Sequence, residues 1–367
     1  MKTATTNFKR FGSIAAIAIA GTMLFSACAA NEDNADSGES ASTVSGTLVG
    51  AGSSAVGAAQ EVWISEFQTA NPDVDITYDP SGSGAGRDTF LAGGSDFAGT
   101  DRAFNDEEIA AGGFAACTED SGIVQLPLYV SPIAVVFNLE GVDSLNLDAD
   151  TIAGIFAGTI TTWNDPAIQG QNADVELPAT AINAVHRSDD SGTTENFTDY
   201  LFQAAPTVWT SEADGVWPLA TGEAAQGTSG VVDAVTNGTG TIGYVDASRA
   251  GDLGVVSVKV GEEYVPFSPE AAAAVVDASP LVEGREDFDL SIELDRTPEG
   301  DAYPVVLVAY LVGCETYADE TQGALVSEYF TYMASEDGQT AAASGAGSAP
   351  ISSSLFESVT AAIAVIK

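Results

Sequence analysis

The segment HRSDDSGTTENFTDYL, residues 186–201, carries the residue types whose spacing most clearly indicates chemistry. Arg187 stands shortly before the Ser-Gly-Thr step Ser191–Thr193, and apolar residues at helical spacing follow that step. The pattern predicts a helix that begins near Ser191, with Asp189 or Ser191 supplying the capping oxygen. Free N–H groups and about half a positive charge at that helix end would face whatever lies in front of Arg187. Such an arrangement can hold an oxyanion.

Three further loops place polar residues where a strand ends. Ser54 follows the glycines of GAG, Ser83 lies within GSGAG, and Asp101 closes the strand-like segment DFAGTD. Glycines let a backbone approach a ligand closely, and hydroxyls add donors to the N–H groups. Each feature also has an ordinary interpretation, which is a tight turn for the serines and a helix-capping or solvated side chain for Asp101. Nucleotide binding has little support, because Ala55 stands where GxGxxG needs its third glycine and no GK[ST] occurs.

Alternating strand and helix patterns predict an α/β fold that positions these loops. A strand-like TLVGAG precedes a helical pattern from Val56 to Phe67, which stops at Asn71-Pro72, and apolar alternation from Val74 to Tyr78 predicts the next strand. This order is typical of a parallel sheet flanked by helices. A second series runs through TIAGIFAG, AINAVH and TIGYV, and a final helix is predicted from Ser352.

The chain beyond residue 45 is too long for one simple core, so we predict two lobes, each a mainly parallel sheet flanked by helices. Residues 46–129 and 255–367 form the first predicted lobe, and residues 130–254 form the second. The strand-like runs IVQLPLYV and PIAVVFNL meet near residues 128–132, which is the candidate crossing between the lobes.

The charge balance excludes some partners. The sequence has 53 acidic residues against 11 lysines and arginines, so binding to nucleic acid or to an anionic membrane face is not expected. The same scarcity of cations means that an anion would have to be held by local donors rather than by net positive charge.

The first 27 residues have the pattern of an export signal. Lys2, Lys9 and Arg10 precede an uncharged run that ends in LFSAC. This ending resembles bacterial lipoprotein signals, which implies lipidation of Cys28; ordinary secretion and a transmembrane anchor are the alternatives. Residues 28–45 are small, polar and acidic, which predicts an unstructured tether that holds the protein on the outer face of the cell membrane.

Two cysteines remain beyond the predicted anchor. Export to an oxidising compartment favours a disulfide between Cys117 and Cys314, and two buried free thiols are the alternative. A disulfide would place the early and late segments in the same lobe.

The motifs, taken in order, resemble the periplasmic phosphate-binding proteins of ABC-type phosphate importers (PstS-like, type II periplasmic binding proteins). GAGSS, SGSGAG, DFAGTD, TWNDPAI and the 186–201 segment carry this resemblance, which covers most of the chain after residue 45. It implies a two-lobed fold with a hinge and a ligand cleft between the lobes. The phosphate ligands that it implies are Ser54, the N–H of Ala55, Ser83, Asp101, Arg187, Ser191, Gly192 and Thr193.

This sequence departs from the family pattern at three positions. Ala55 stands where the family usually has an aromatic residue, and Ser54 where it often has threonine. Asp190 replaces the first glycine of Asp-Gly-Ser-Gly-Thr and adds a negative charge near the site. The expected function is nevertheless capture of inorganic phosphate and its delivery to a membrane permease by a monomer that needs neither cofactor nor metal.

Asp101 is the residue expected to decide which anion binds. A carboxylate only accepts hydrogen bonds, so it requires a proton on the ligand. Phosphate keeps one near neutral pH, whereas sulfate has none and would leave a buried acceptor facing its lone pairs.

Three alternatives stay open in the sequence. An exported phosphatase or hydrolase would use Ser191 or Ser83 as nucleophile, but His186 is the single histidine and is expected to pack within its strand rather than to act as a base. A scaffold for another oxyanion, such as sulfate, molybdate or a phosphonate, is disfavoured by Asp101. An adhesive or signalling envelope protein is the third.

Overall fold

The computed structural model describes residues 44–367, so the predicted signal peptide, Cys28 and most of the predicted tether lie outside the described residues. The strands are β1 (Gly46–Gly52), β2 (Val74–Asp79), β3 (Phe97–Thr100), β4 (Ile123–Asn138), β5 (Ser144–Leu147), β6 (Asn183–Arg187), β7 (Glu223–Ala225), β8 (Thr241–Asp246), β9 (Gly254–Val260), β10 (Glu263–Val265) and β11 (Val306–Cys314). The helices are α1 (Gly57–Ala70), α2 (Ser83–Leu91), α3 (Asp106–Ala111), α4 (Ala149–Phe156), α5 (Pro166–Gln171), α6 (Gly192–Ala204), α7 (Gly227–Asn237), α8 (Pro269–Ala278), α9 (Glu320–Ala334), α10 (Glu336–Ala346) and α11 (Ser353–Ile363). Between Val44 and Lys367, no helix combines the length and the apolar character that crossing a membrane requires.

The first α/β series has the order that the sequence predicts. β1 pairs in parallel with both β2 and β3, and α1 between them buries Trp63 and Phe67 against the sheet. Asn71 ends α1 because Pro72 cannot continue it. The three loops with Ser54, Ser83 and Asp101 therefore follow the carboxyl ends of neighbouring parallel strands, where a sheet of this kind gathers its loops.

One long strand joins the two halves of the fold. The sequence suggests two strands that meet near residues 128–132, but β4 is continuous. Its residues 123–132 pair antiparallel with β11, and its residues 133–138 pair antiparallel with β8. The main strand order is β2-β1-β3-β11-β4-β8-β6-β7, with β5, β9 and β10 off this path. β4 therefore runs through both halves of the sheet, and the predicted crossing lies in its middle.

The two lobes can be defined by these sheets. The first contains β1, β2, β3, β11 and the first part of β4; the second contains the rest of β4 with β5 to β10. In the second lobe β6 pairs in parallel with β7 and β8, whereas the pairings of β4 are antiparallel. β9 pairs with β5 and with β4, and residues 254–265 therefore join the second sheet. The sequence places the boundary between the second lobe and the late part of the first lobe after residue 254, and that boundary stays a prediction.

Cys117 and Cys314 form a disulfide in the structure, with a sulfur–sulfur distance of 2.02 Å. Cys314 ends β11, and Cys117 precedes β4. The bond joins residues 197 positions apart, so it ties the early segment of the first lobe to its late segment.

A buried polar cluster fixes the point where β4 passes between the sheets. Asp246, at the end of β8, lies opposite Ile133 and is fully buried. Its carboxylate accepts hydrogen bonds from the Tyr129 hydroxyl at 3.1 and 3.2 Å and from the Ser248 N–H at 3.0 Å. Burial raises the pKa of Asp246 to about 6, although these donors and the Ser131 hydroxyl oppose the shift.

The raised pKa gives Asp246 a defined effect on stability. The native state holds its proton more tightly than the unfolded chain, so the stability contributed is fully present below pH 3.8 and is lost as the pH rises through about 6. Asp246→Asn removes this titration. Relative to wild type, the free energy of unfolding of the variant should therefore improve by about 1–2 kcal/mol between pH 5 and pH 7.5. Urea denaturation of both proteins at both pH values measures the change; an equal difference at the two values would contradict the assignment.

Candidate functional site

Ser191 caps the helix that the sequence predicts in the 186–201 segment. α6 begins at Gly192, and the Ser191 side chain accepts a hydrogen bond from the Thr194 N–H at 3.2 Å. Of the two capping residues that the sequence allowed, Asp189 is instead bound to Arg187. The N-terminus of α6 lies against Ser83 and Asp101 of the first lobe.

Arg187 is held in place by a buried ion pair. It ends β6, and its side chain is only 2% exposed. Its Nε donates to Asp189 Oδ1 at 2.8 Å, and its Nη2 contacts the other carboxylate oxygen. Burial disfavours the charge on Asp189, but the guanidinium outweighs it and lowers the pKa of that carboxyl. The pair fixes the guanidinium in one orientation, which a bidentate anion site requires.

Asp101 brings an acceptor to the same place. It follows β3, is 4% exposed, and accepts a hydrogen bond on Oδ2 from the Thr193 hydroxyl at 3.1 Å. Its N–H donates to Ser83 Oγ at 3.2 Å. Its Oδ1 is buried and has no hydrogen-bond partner within residues 44–367. Burial raises the pKa of Asp101, and the Ser53 and Thr193 hydroxyls, together with the charges of Arg187 and Arg87, offset this only in part.

Two glycines allow these groups to meet. A Cβ on Gly192 would lie 2.7 Å from Ser83 Oγ and 2.7 Å from Asp101 Cβ, so only glycine lets α6 approach the first lobe this closely. Gly82 has a φ of 109°, and a Cβ there would lie 2.7 Å from an oxygen of Asp189. Both glycines therefore allow the lobes to come into close contact at the polar site.

Ser54 reaches the second lobe by a separate contact. Its Oγ lies 2.9 Å from Thr228 Oγ1, near the start of α7. The N–H of Ala55, which stays a predicted ligand, donates to Ser53 Oγ at 3.1 Å, and the Ala55 side chain is fully buried in the core.

The structure gathers the predicted ligand residues where the lobes meet. Asp101 contacts Ser83, Gly192 and Thr193. Ser191 caps the same helix, and Arg187 lies near Gly82. Ser54 joins them through α7, whose Gly227 N–H donates to Asp189 Oδ1 at 3.0 Å. These contacts describe the geometry, and the ligand roles remain predictions.

Sequence reasoning missed three residues that support this arrangement. Asn196 donates to the Asp101 carbonyl at 2.7 Å and to the Gly192 carbonyl at 2.9 Å, and its helical spacing from Gly192 was the available signal. Thr228 and Tyr244 carried no such signal, because they come from elements far along the chain. The Tyr244 hydroxyl accepts from the Arg187 N–H at 3.3 Å and so supports the end of β6.

His186 is engaged in packing contacts. Its ring stacks on Trp217 with centroids 4.7 Å apart and planes 9° apart, and its Nδ1 lies 2.9 Å from the Arg187 carbonyl. One face of the ring and one ring nitrogen are thereby engaged within its own lobe, as a packing role predicts.

The extra charge of Asp190 is balanced by Arg87. Asp190 Oδ1 lies 3.6 Å from Arg87 Nη2, and the Asp190 carbonyl accepts a hydrogen bond from the Gly84 N–H at 3.3 Å. Arg87 is 6% exposed, and burial lowers its pKa, with repulsion from Arg102 acting in the same direction. Asp190, which departs from the family pattern, therefore makes a contact between the lobes.

Two more arginines of the first lobe bind α6 along its length. Arg102 contacts Glu195 at 3.1 Å while it also pairs with Glu108. Arg296, which donates to a carbonyl of β11, binds Asp199 at 2.7 Å. The helix whose N-terminus faces the site is thus fastened to the opposite lobe by ion pairs.

At the junction of the lobes, the described residues bring together many donors and a buried acceptor that has no hydrogen-bond partner. The N-termini of α2, α6 and α7 converge on this junction, together with one guanidinium and several hydroxyls. The free acceptor is Asp101 Oδ1. This donor set suits a small oxyanion that still carries a proton.

Comparison with known proteins agrees with this geometry. The family described as the PBP superfamily domain matches residues 37–337. Phosphate-binding protein PstS3 of Mycobacterium bovis is 35% identical over 336 residues, which cover 87% of this chain and 89% of that protein. The periplasmic phosphate-binding protein PfluDING, solved with bound phosphate, matches with a TM-score of 0.70 at 23% identity, over 86% of this chain and 93% of that one. A phosphate-binding protein from Stenotrophomonas maltophilia matches with a TM-score of 0.68 at 20% identity, over 86% and 94% of the two chains.

The fold and the cleft are therefore those of a two-lobed binding protein of the PBP superfamily. Within it, the chain belongs to the PstS family of phosphate-binding proteins.

Proposed function

We propose that this protein captures hydrogen phosphate in the cleft between its lobes. The proposed ligands are Ser54, the N–H of Ala55, Ser83, Asp101, Arg187, Ser191, Gly192 and Thr193. The observation that carries the proposal is the buried, unpartnered Oδ1 of Asp101 within a cluster of donors. A buried acceptor without a partner is costly, and a proton on the ligand would satisfy it. The names of the family's members, which are phosphate-binding proteins, support the same ligand.

The protein's net charge of −42 does not oppose this function. Exposed charges farther than about 8 Å are largely screened at physiological salt, so the local donors decide the affinity. Helix N-termini and hydroxyls attract an anion without adding net charge, and Arg187 supplies the charge-assisted pair. Binding at the junction of the lobes would favour their closed arrangement.

Catalysis is not part of the proposal. Ser191 Oγ accepts a hydrogen bond as the cap of α6, and Ser83 Oγ accepts one from the Asp101 N–H. His186 is stacked on Trp217 and bonded to a carbonyl, so it is not placed to activate either hydroxyl. We expect no turnover of a phosphate ester, and turnover that Ser191→Ala abolishes would favour the exported hydrolase instead.

The proposed route is delivery to a membrane permease by a lipid-anchored monomer on the outer face of the cell membrane. The LFSAC sequence supports lipidation of Cys28, and membership of a substrate-binding family supports the permease partner. A Cys28→Ser variant should appear in the culture medium rather than in the membrane fraction. Retention of that variant in the membrane would contradict the anchor while leaving phosphate binding untouched.

A fluorescence titration with three anions tests the proposed function. Trp217 stacks on the residue before Arg187 and should report ligand binding. Phosphate and arsenate carry a proton near neutral pH, so both should bind saturably, and sulfate should bind about a hundredfold more weakly or worse. Calorimetry on Trp217→Phe, which loses the signal but keeps the ligands, provides the control. Equal binding of sulfate and phosphate, or binding of neither, would reject the function.

A further inference from the structure

The N-terminus of α7 contacts the first lobe through Thr228, a residue that is not among the predicted ligands. Thr228 is the second residue of α7, is 4% exposed, and belongs to the second lobe. Its N–H donates to Ser54 Oγ at 3.2 Å, and its Oγ1 lies 2.9 Å from the same atom. Ser54 belongs to the first lobe, so two short polar contacts join the lobes at a proposed phosphate ligand.

We propose that Thr228 is a further positioning residue of the anion site: its hydroxyl donates to Ser54 Oγ, which leaves the Ser54 proton for an oxygen of phosphate. This inference rests on the proposed function. It adds a residue from a fifth segment of the chain and assigns that residue a role in selecting ligands that accept hydrogen bonds.

A hydroxyl has one proton to donate and two lone pairs that can accept hydrogen bonds. The Thr228 N–H occupies one lone pair of Ser54 Oγ. When the Thr228 hydroxyl donates across the 2.9 Å contact, it occupies the second. The proton of Ser54 is then its sole remaining group, and it points to an acceptor in the cleft. A phosphate oxygen is such an acceptor.

The position of α7 is coupled to the guanidinium of the site. Asp189 Oδ1 accepts hydrogen bonds from Arg187 Nε at 2.8 Å and from the Gly227 N–H at 3.0 Å. Gly227 directly precedes Thr228. The same Asp189 oxygen therefore fixes the position of the Arg187 guanidinium and of the start of α7, which carries Thr228. Separation of the lobes would release Ser54 from Thr228, and closure would restore its donor orientation.

Calorimetric titration of the full exported chain with inorganic phosphate at pH 7.5 tests the proposal. Thr228→Val keeps the shape and the N–H but removes the hydroxyl, and should weaken binding about tenfold; Thr228→Ser should stay within about threefold of wild type. Thr236→Val, the same change at an exposed position of α7, is the matched control and should bind as wild type. Thermal melts without phosphate should coincide for all of them.

A double variant separates positioning from a general structural effect. Because Thr228 acts through Ser54, Ser54→Ala with Thr228→Val should bind no more weakly than Ser54→Ala alone. Additive losses, or wild-type affinity in Thr228→Val, would overturn the proposal while phosphate binding by the wild type stands. Should Thr228→Val fold poorly, Thr228→Ala, which introduces no larger group, serves the same comparison. Failure of the wild type to bind phosphate would instead overturn the function itself, and this inference with it.

Discussion

Arg187→Ala should weaken phosphate binding by at least about a hundredfold. Charge-assisted hydrogen bonds contribute roughly 1.5–3 kcal/mol each, and a bidentate pair would lose two. The variant also leaves Asp189, which is 15% exposed, without its cation and facing the incoming anion. A total of about 3 kcal/mol or more corresponds to at least a hundredfold in affinity. Calorimetry at pH 7.5 measures the loss.

Two variants make the Arg187 result specific. Arg187→Lys keeps the charge without the planar fork and should fall between wild type and alanine. Arg249→Ala removes an equal charge from a pair with Glu61 whose side chains are 39% and 77% exposed, so affinity should not change. A loss below about fivefold in Arg187→Ala would contradict its assignment as the main ligand.

The stability of Arg187→Ala must be measured beside its affinity. Since Arg187 lowers the pKa of Asp189, this carboxylate contributes stability above its unfolded pKa and loses it as the pH falls through the folded one. Removing the arginine takes that contribution away at neutral pH. We therefore expect a lower melting temperature in Arg187→Ala, with binding measured well below it.

Asp101→Asn should narrow the preference for phosphate over sulfate by about a hundredfold. An asparagine can keep its oxygen on the Thr193 hydroxyl and place its NH₂ where Oδ1 now lies. That donor can bind a fully deprotonated oxygen, so sulfate gains an interaction and the proton of phosphate loses its acceptor. An unpaired buried polar group costs roughly 1–3 kcal/mol. The gain for sulfate and the loss for phosphate together give the expected change in the ratio of the two affinities. Parallel titrations with both anions provide the ratio.

The pH dependence of sulfate binding tests the role of Asp101 independently. Burial raises the pKa of this carboxyl, so acidification protonates it earlier than an exposed aspartate. A protonated Asp101 can donate, and sulfate binding by the wild type should therefore strengthen as the pH falls. Sulfate binding by Asp101→Asn should lack this dependence. An unchanged phosphate-to-sulfate ratio in the variant would remove Asp101 as the discriminating residue.

The distribution of cations explains how so acidic a chain can hold an anion. Arg87, Arg102 and Arg296 of the first lobe bind acidic groups on or next to α6, and Arg187 lies in the site. Arginines placed between the lobes neutralise repulsion there, whereas the exposed acidic groups elsewhere are screened by salt. Few cations suffice because their partners are close and partly buried.

Sequence reasoning succeeded where the physics is local. The cap of α6, the end of α1 at Asn71 and the strand–helix order of the first lobe follow from patterns within a few residues. The sequence predicted two strands where the structure has the single strand β4. A strand buried on both faces gives a continuous apolar run, and a proline inside this run suggested a break. The membership of β9 in the second sheet depends on partners distant in sequence and had no local signal.

By itself the sequence determined which groups are available: a guanidinium beside a helix start, hydroxyls in glycine loops, and one carboxylate after a strand. Local rules for capping, turns and donors are sufficient for that. Only the tertiary structure decided that Asp190 meets Arg87 and that Thr228 reaches Ser54. These contacts join segments from different elements or lobes, and their distances are set by sheet order and lobe packing, which no local pattern encodes.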